Sequence, residues 1–372
     1  RFVFAGWGTR VMMIFFIAVV PVLGFLDKSA RLALVLMLLF GFNLSRGISS
    51  CAWLPWITSL VPTSIRGKYL SLDAACVNFA SFIAFLLSAA CLGAEPRAWQ
   101  FSVVFAFSAM MGVASLVFLK RIPEGESPEE TRTSTTPVPW REIATYAPFL
   151  KLLRTIVAWS MAYGGLNAFT VAFLKTEAGV PEGKILFVTS TAFLGGLSSL
   201  WILGSRMDRL GSKPVLTFSF VMWIVILLGW LALAGGLLKA SLPFIVMLQV
   251  LMGLVAALVA MANTRLAMAI VPAMGRNHFF ALYSVVGSLT LGLSPILWGL
   301  LIDALAPLHA NWAGIALNRY SIFFAAVALV FLATLILSRR LDEPEAASME
   351  ELLKEILIQS PQRAWVRFWP RD

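Results

Sequence analysis

Apolar residues in this chain come in long blocks separated by short polar punctuation. A helix needs roughly 20 consecutive apolar residues to cross the hydrocarbon core of a bilayer. Ten blocks meet that length or approach it: 2–25, 31–57, 69–92, 99–119, 149–174, 184–204, 214–236, 242–270, 277–303 and 319–338. None shows the short alternating runs of a membrane barrel. A helix satisfies its own backbone hydrogen bonds, so the pattern predicts an all-α polytopic membrane protein. One segment breaks the rhythm. Residues 120–147, KRIPEGESPEETRTSTTPVPWREIATYA, are polar, charged and Pro-rich, and read as a linker with a short surface helix. Four blocks precede it and six follow. The chain therefore divides into 1–119, the linker 120–147, a second helical region 148–340 and a tail 341–372.

Composition sharpens the class. Hydrophobic residues are 59% and charged residues 13% of the chain, and the charged share is about half that of a soluble domain. The net charge of +10 invites a nucleic-acid reading, but its distribution argues for topology instead. With Arg1 on the cytoplasmic side and the blocks alternating, 19 of the 29 Lys and Arg residues fall in cytoplasmic segments, 7 in outer segments and 3 inside blocks. That is a positive-inside bias. It places both ends of this chain in the cytoplasm of a cell with the protein in its inner or plasma membrane. Arg1 runs directly into a full-length block with no cleavable signal pattern, the mark of a fragment or a processed start. Cys51, Cys76 and Cys91 lie in or beside apolar blocks and read as packing residues, not disulfides or metal ligands.

A short basic stretch is spelled twice. VPTSIRGKYLSL (61–72) and VPAMGRNHFFAL (271–282) share Val-Pro, an Arg four residues after the Pro, and a closing small residue and Leu. Shifting the first region by this spacing lays block 2–25 on 214–236 and block 69–92 on 277–303. The blocks 149–174 and 184–204 have no counterpart. The expected plan is six plus six helices with the first two lying before Arg1, the arrangement of parallel-repeat transporters.

The loop GSRMDRLGSKPVL (204–216) matches a motif. Gly204, Asp208, Arg209, Gly211 and Lys213 fit the Gly-x-x-x-Asp-Arg-x-Gly-Arg-Lys/Arg pattern of cytoplasmic loops in the major facilitator superfamily, with Ser212 in place of a basic residue. The chain resembles that family from its third helix to its twelfth. The resemblance implies a bundle of two pseudo-symmetric halves, ten transmembrane helices present of twelve, and a loop that latches the halves together on the cytoplasmic side. By pseudo-symmetry Asp208 would face the start of the fifth helix, Arg66-Gly67-Lys68-Tyr69, where Pro62 ends the preceding helix. Arg276 holds the equivalent elbow position in the second copy.

Ionisable groups inside a membrane span are candidates for function. Arg10 and Arg265 lie near cytoplasmic ends of their blocks, within snorkelling reach of water. Arg46, in GFNLSRGISS, lies near the centre of block 31–57 and shares a helical face with Asn43 and Ser50, while Gly47 permits close packing. The family often has an Arg in its fourth helix followed four residues later by Gly; here Ser50 replaces the Gly. No Asp or Glu lies deep in a block, so Arg46 has no evident carboxylate partner in this chain. Its partner lies in the helices expected before Arg1, or it is tied to polar groups, or it is placed to meet an anionic substrate. In block 149–174, Gly164-Gly165 permit a bend and Asn167 offers donors and acceptors; in the family this helix lines the central cavity. Asn263 and Gln249 are further pathway candidates, and Trp159 and Tyr163 sit near Asn167 at helical spacing. Block 277–303 is rich in small residues and holds Pro295, which suits a kinked, closely packed helix. Residues 344–358 have an amphipathic pattern followed by aromatics among arginines, suiting either an anchor on the inner membrane face or a loose tail.

These features point to a secondary transporter that moves a small organic solute by alternating access, working as a monomer in the lipid bilayer; coupling to a proton or sodium and facilitated diffusion both stay open, since no Asp, Glu or His lies deep in a block. No cofactor, metal or nucleic acid is implied. The competing class is a non-transporting sensor or scaffold on the same fold. A membrane enzyme is disfavoured, because no cluster has catalytic or metal-ligand spacing.

Overall fold

The computed structural model describes residues 2–24, 26–61, 66–93, 96–122, 140–203, 210–271, 276–308, 310–312, 314–341, 343 and 349–354. Four helices come first: α1 (Phe2–Val19), α2 (Lys28–Leu60), α3 (Arg66–Leu92) and α4 (Ala98–Leu119). A short α5 (Trp140–Thr145) leads into α6 (Ala147–Gly164), α7 (Leu166–Thr176), α8 (Glu182–Leu203), α9 (Ser212–Ala234), α10 (Leu242–Ile270) and α11 (Arg276–Ala304). A two-stranded hairpin, β1 (Ala310–Trp312) against β2 (Ile315–Leu317), precedes α12 (Arg319–Arg339) and a final short α13 (Met349–Lys354).

Among the described residues, nine spans are long and apolar enough to cross a membrane. They coincide with nine of the ten expected blocks, with α6 and α7 counted as one span, Ala147–Thr176. The tenth block is the 22-residue helix α8. The protein is thus a multi-pass integral membrane protein. Helix ends follow local chemistry. Pro21 tightens the end of α1 into a single 3₁₀ turn. Asp27 caps α2 by accepting the Ala30 N–H at 3.2 Å. Asn318 caps α12 through the N–H groups of Tyr320 and Ser321, and its own amide donates to the Ala234 carbonyl at 2.7 Å.

Helix boundaries recur at the spacing of the repeated stretch. α1 begins at Phe2 and α9 at Ser212; α2 ends at Leu60 and α10 at Ile270; α3 begins at Arg66 and α11 at Arg276. Each pair is 210 residues apart. The register breaks at the last helix, where the hairpin lies between α11 and α12.

The main buried core lies between Ile143 and Leu352. Trp223 stacks on Phe331 at 5.1 Å and Trp230 on Phe324 at 5.7 Å, which binds α9 to α12. The Trp230 indole N–H points at the Met252 sulfur, 3.2 Å away. Backbone contact is closest between α8 and α10. A Cβ on Gly195 would overlap the Val250 carbonyl oxygen, and one on Gly253 would overlap the Ala192 carbonyl oxygen. These glycines let two helices touch main chain to main chain.

Two seams join the first four helices to the rest: α3 against α8, and α2 against α11. Along the first, Phe85 meets Phe193 at 5.2 Å and the Asn78 amide packs on Gly196 with no space for a Cβ. The tail differs from a surface anchor in its described part. Leu352 on α13 is fully buried in the core, and α13 contacts α9.

Candidate functional site

The block expected to bend is broken where two glycines sit. α6 stops at Gly164 and α7 starts at Leu166. The Gly165 N–H turns back to the Tyr163 carbonyl. The Met161 carbonyl accepts hydrogen bonds from α11 instead, from Ser294 Oγ at 2.6 Å and Trp298 Nε1 at 2.8 Å. α11 has its own irregularity at the same level. Pro295 has no N–H to donate to the Leu291 carbonyl, and that carbonyl oxygen lies 2.7 Å from where a Gly164 Cβ would stand. A Cβ on Gly165 would meet Trp298 Cδ1 at 2.7 Å. The break between α6 and α7 therefore abuts Pro295 within the continuous helix α11, and the missing side chains of Gly164 and Gly165 permit the approach.

Asn167 follows the break and is exposed, with its side chain in reach of the Tyr163 hydroxyl. Trp159 and Tyr163 stack on each other at 5.1 Å, and Tyr163 meets Trp223 edge-on. The aromatic pair packs against α9 through Trp223. The Trp159 and Trp223 indole N–H groups are buried without a hydrogen-bond partner. The structure buries the α10 amides: Gln249 is 3% and Asn263 4% exposed, and Asn263 Oδ1 has no partner.

In α2, Asn43 is exposed and donates to the Leu39 carbonyl at 2.9 Å. Arg46 is exposed as well. Its neighbours Ser45 and Ser49 face α1 instead: Ser45 Oγ donates to the Gly6 carbonyl at 3.0 Å, and Ser49 packs where a Gly6 Cβ would stand. Arg10 of α1, expected to reach for water, seats its guanidinium over the Trp7 ring at 4.6 Å and the Phe42 ring at 5.0 Å. No hydrogen bond, ion pair or ring contact among the described residues joins Arg46 to Asn167. The Ser50 side chain lies outside the described part.

In the loop that carries the sequence motif, Gly204, Asp208 and Arg209 lie outside the described residues. So do the side chains of Arg66 and Arg276, which with Gly67 stand at the starts of α3 and α11. The rest of the motif is defined. Gly211 adopts φ 83° and ψ 167° at the start of α9, a conformation open essentially to glycine. That turn presents the first N–H groups of α9 to a carboxylate absent from the sequence-based candidates. Glu343 accepts from Ser212 N with both oxygens at 2.9 Å and from Lys213 N at 2.7 Å. Arg265, expected to snorkel, instead binds Glu343 Oε1 at 2.6 Å and Ser212 Oγ at 3.1 Å. The Glu343 side chain is only 7% exposed. A negative charge at a helix N-terminus is favoured by the dipole and by its unsatisfied N–H groups. The clasp joins α9, α10 and the segment after α12. The available signal was an Arg near a helix end and a carboxylate directly after the last span.

Comparison with known proteins follows the same outline. The sequence model for the Major Facilitator Superfamily matches residues 5–202 and again 171–370. No curated protein sequence matches the chain. Solved structures with the same fold include the proton:xylose symporter XylE bound to 6-bromo-6-deoxy-D-glucose (TM-score 0.70, 12% identity, covering 94% of this chain and 82% of that one). The fucose:proton symporter of E. coli follows (TM-score 0.64, 14% identity, 92% and 83%). A bacterial homologue of the iron transporter ferroportin in its outward-facing state is also similar (TM-score 0.61, 14% identity, 91% and 83%).

Proposed function

The chain belongs to the major facilitator superfamily, and on that premise we propose that it is a secondary transporter carrying a small organic solute by alternating access. The observation that carries this reading is the helix break at Gly164-Gly165 packed against Pro295 of α11, with Asn167 exposed beside it. A transporter needs polar groups at mid-membrane and helices that can change shape without orphaning backbone groups. The Met161 carbonyl, held by Ser294 and Trp298, meets the second requirement.

Residues 1–119 and 148–340 act as the two moving bodies, joined by 120–147. The seams α3–α8 and α2–α11 are the surfaces across which they rock. Asn167, Arg46 and Asn43 face the solute, with Asn263 and Gln249 behind them in α10. On the cytoplasmic side, Gly204, Asp208 and Arg209 dock on the start of α3 at Arg66-Gly67 when that side is closed, and Gly211 and Lys213 anchor the loop to Glu343. Similarity to proton-coupled sugar symporters supports a small solute and a proton as coupling ion.

The test is solute flux by the full-length protein in proteoliposomes, beginning with labelled xylose and extending to small organic acids. Asn167→Ala should lower uptake about tenfold, the cost of one lost polar contact near 1.4 kcal/mol. Flux no greater than in empty liposomes for every solute would leave the sensor or scaffold class in its place.

A further inference from the structure

Arg10 and Arg46 belong to facing helices, α1 and α2, at neighbouring levels. The Arg10 guanidinium lies 5.0 Å from the Phe42 ring centroid, and Phe42 is one helical turn before Arg46 on the same side of α2. Arg10 is fixed from two sides by Trp7 and Phe42, yet its Nε is buried and has no hydrogen-bond partner. Neither arginine takes part in an ion pair among the described residues. α1, α2 and α4 contain no Asp or Glu, and α3 contains only Asp73.

Two guanidinium groups at neighbouring levels of one helix pair are costly. Like charges repel, and Arg10 is partly buried, which costs it hydration. A folded chain keeps such a pair when a negative group offsets it. Guanidinium groups present planar forks of N–H donors that match the oxygens of carboxylates and phosphates. The aromatic rings fix the direction of the Arg10 fork in advance, which lowers the ordering cost of binding.

We propose that Arg10 and Arg46 together form an oxyanion-binding site, and that the transported solute carries a carboxylate or phosphate group that occupies it. This rests on the carrier reading above and narrows its substrate class from small organic solutes to small organic anions. It also gives Arg10 a part in recognition beyond simple anchoring at the membrane edge.

The experiment measures binding apart from flux. Full-length protein in neutral detergent is titrated with inorganic phosphate, succinate and xylose at constant ionic strength, with thermal stabilisation as the readout. Phosphate or succinate should stabilise the wild type and xylose should not. Arg46→Gln should weaken the anion response about tenfold or more, and Arg10→Gln likewise. Arg46 is exposed, so its variant tests the site even where Arg10→Gln fails to fold. An equal response to xylose, or an anion response unchanged in Arg46→Gln, overturns the proposal. A second arm uses nanodiscs of phosphatidylcholine with or without phosphatidylglycerol. Stabilisation by the anionic lipid alone, with none by soluble anions, assigns the pair to a lipid headgroup and overturns the substrate assignment. Xylose flux that survives Arg46→Gln would keep the carrier reading and defeat this one. Arg46-dependent anion binding without flux of any solute would keep the oxyanion site and overturn both the carrier reading and the assignment of its solute.

Discussion

Arg265 in α10 and Glu343 after α12 meet at 2.6 Å, with the Glu343 carboxylate also closing the N-terminus of α9. Three segments distant in sequence are thereby held at one point. Glu343→Ala would leave two helix N–H groups and a guanidinium without their acceptor. Breaking a buried pair from one side costs about 3 kcal/mol or more. The variant should melt well below the wild type in detergent. Arg265→Ala should cost less, because Glu343 keeps its helix N–H donors. Equal melting of Glu343→Ala and wild type would refute a structural role for the clasp.

Gly211 should not tolerate a side chain. Its φ of 83° with ψ of 167° lies where an L-residue is strained, at about 1–3 kcal/mol. Gly211→Ala should lower the melting temperature, and in a Glu343→Ala background its effect should shrink, since both act on the same turn. Full additivity in that double variant would separate the turn from the clasp.

The α8–α10 contact predicts a sharp contrast among glycines. Gly195→Val and Gly253→Val would drive a side chain into the opposite main chain, and overpacking of this kind costs about 1–3 kcal/mol or more. Gly292→Ala has nothing within 4 Å to meet and should be tolerated. Yield of monodisperse protein on size exclusion would distinguish them. Similar yields for Gly253→Val and Gly292→Ala would contradict the close approach.

Ser294 and Trp298 share one acceptor, the Met161 carbonyl. Ser294→Ala or Trp298→Phe alone leaves it one donor and should cost about 1 kcal/mol. The double variant orphans the carbonyl and should lose more than the two singles combined. Thermal melting of the four proteins tests this, and a strictly additive result would count against a shared acceptor.

Much of the fold was legible in the sequence because hydropathy is a local property. The 33 residues of α2 and the 29 of α10 each announce themselves by composition alone. The Gly164-Gly165 break was legible for a similar reason, since two adjacent glycines weaken a helix wherever they occur. The partner of Arg265 was not. Glu343 stands 78 positions away in a polar tail, and nothing local marks it as buried. Leu352 is a second instance, a tail residue that packs into the core rather than onto a membrane surface.

The sequence by itself determined which segments are long and apolar enough to cross a membrane and which family the chain resembles. Apolar run length and a five-residue motif carry that information in one dimension. The tertiary structure decided who meets whom. It set Glu343 beneath α9, Arg10 between Trp7 and Phe42, and the break in α6 against Pro295 in α11. Those pairings depend on helix rotation and on where glycines allow close approach, and a bilayer that makes every span apolar leaves both unwritten in hydropathy.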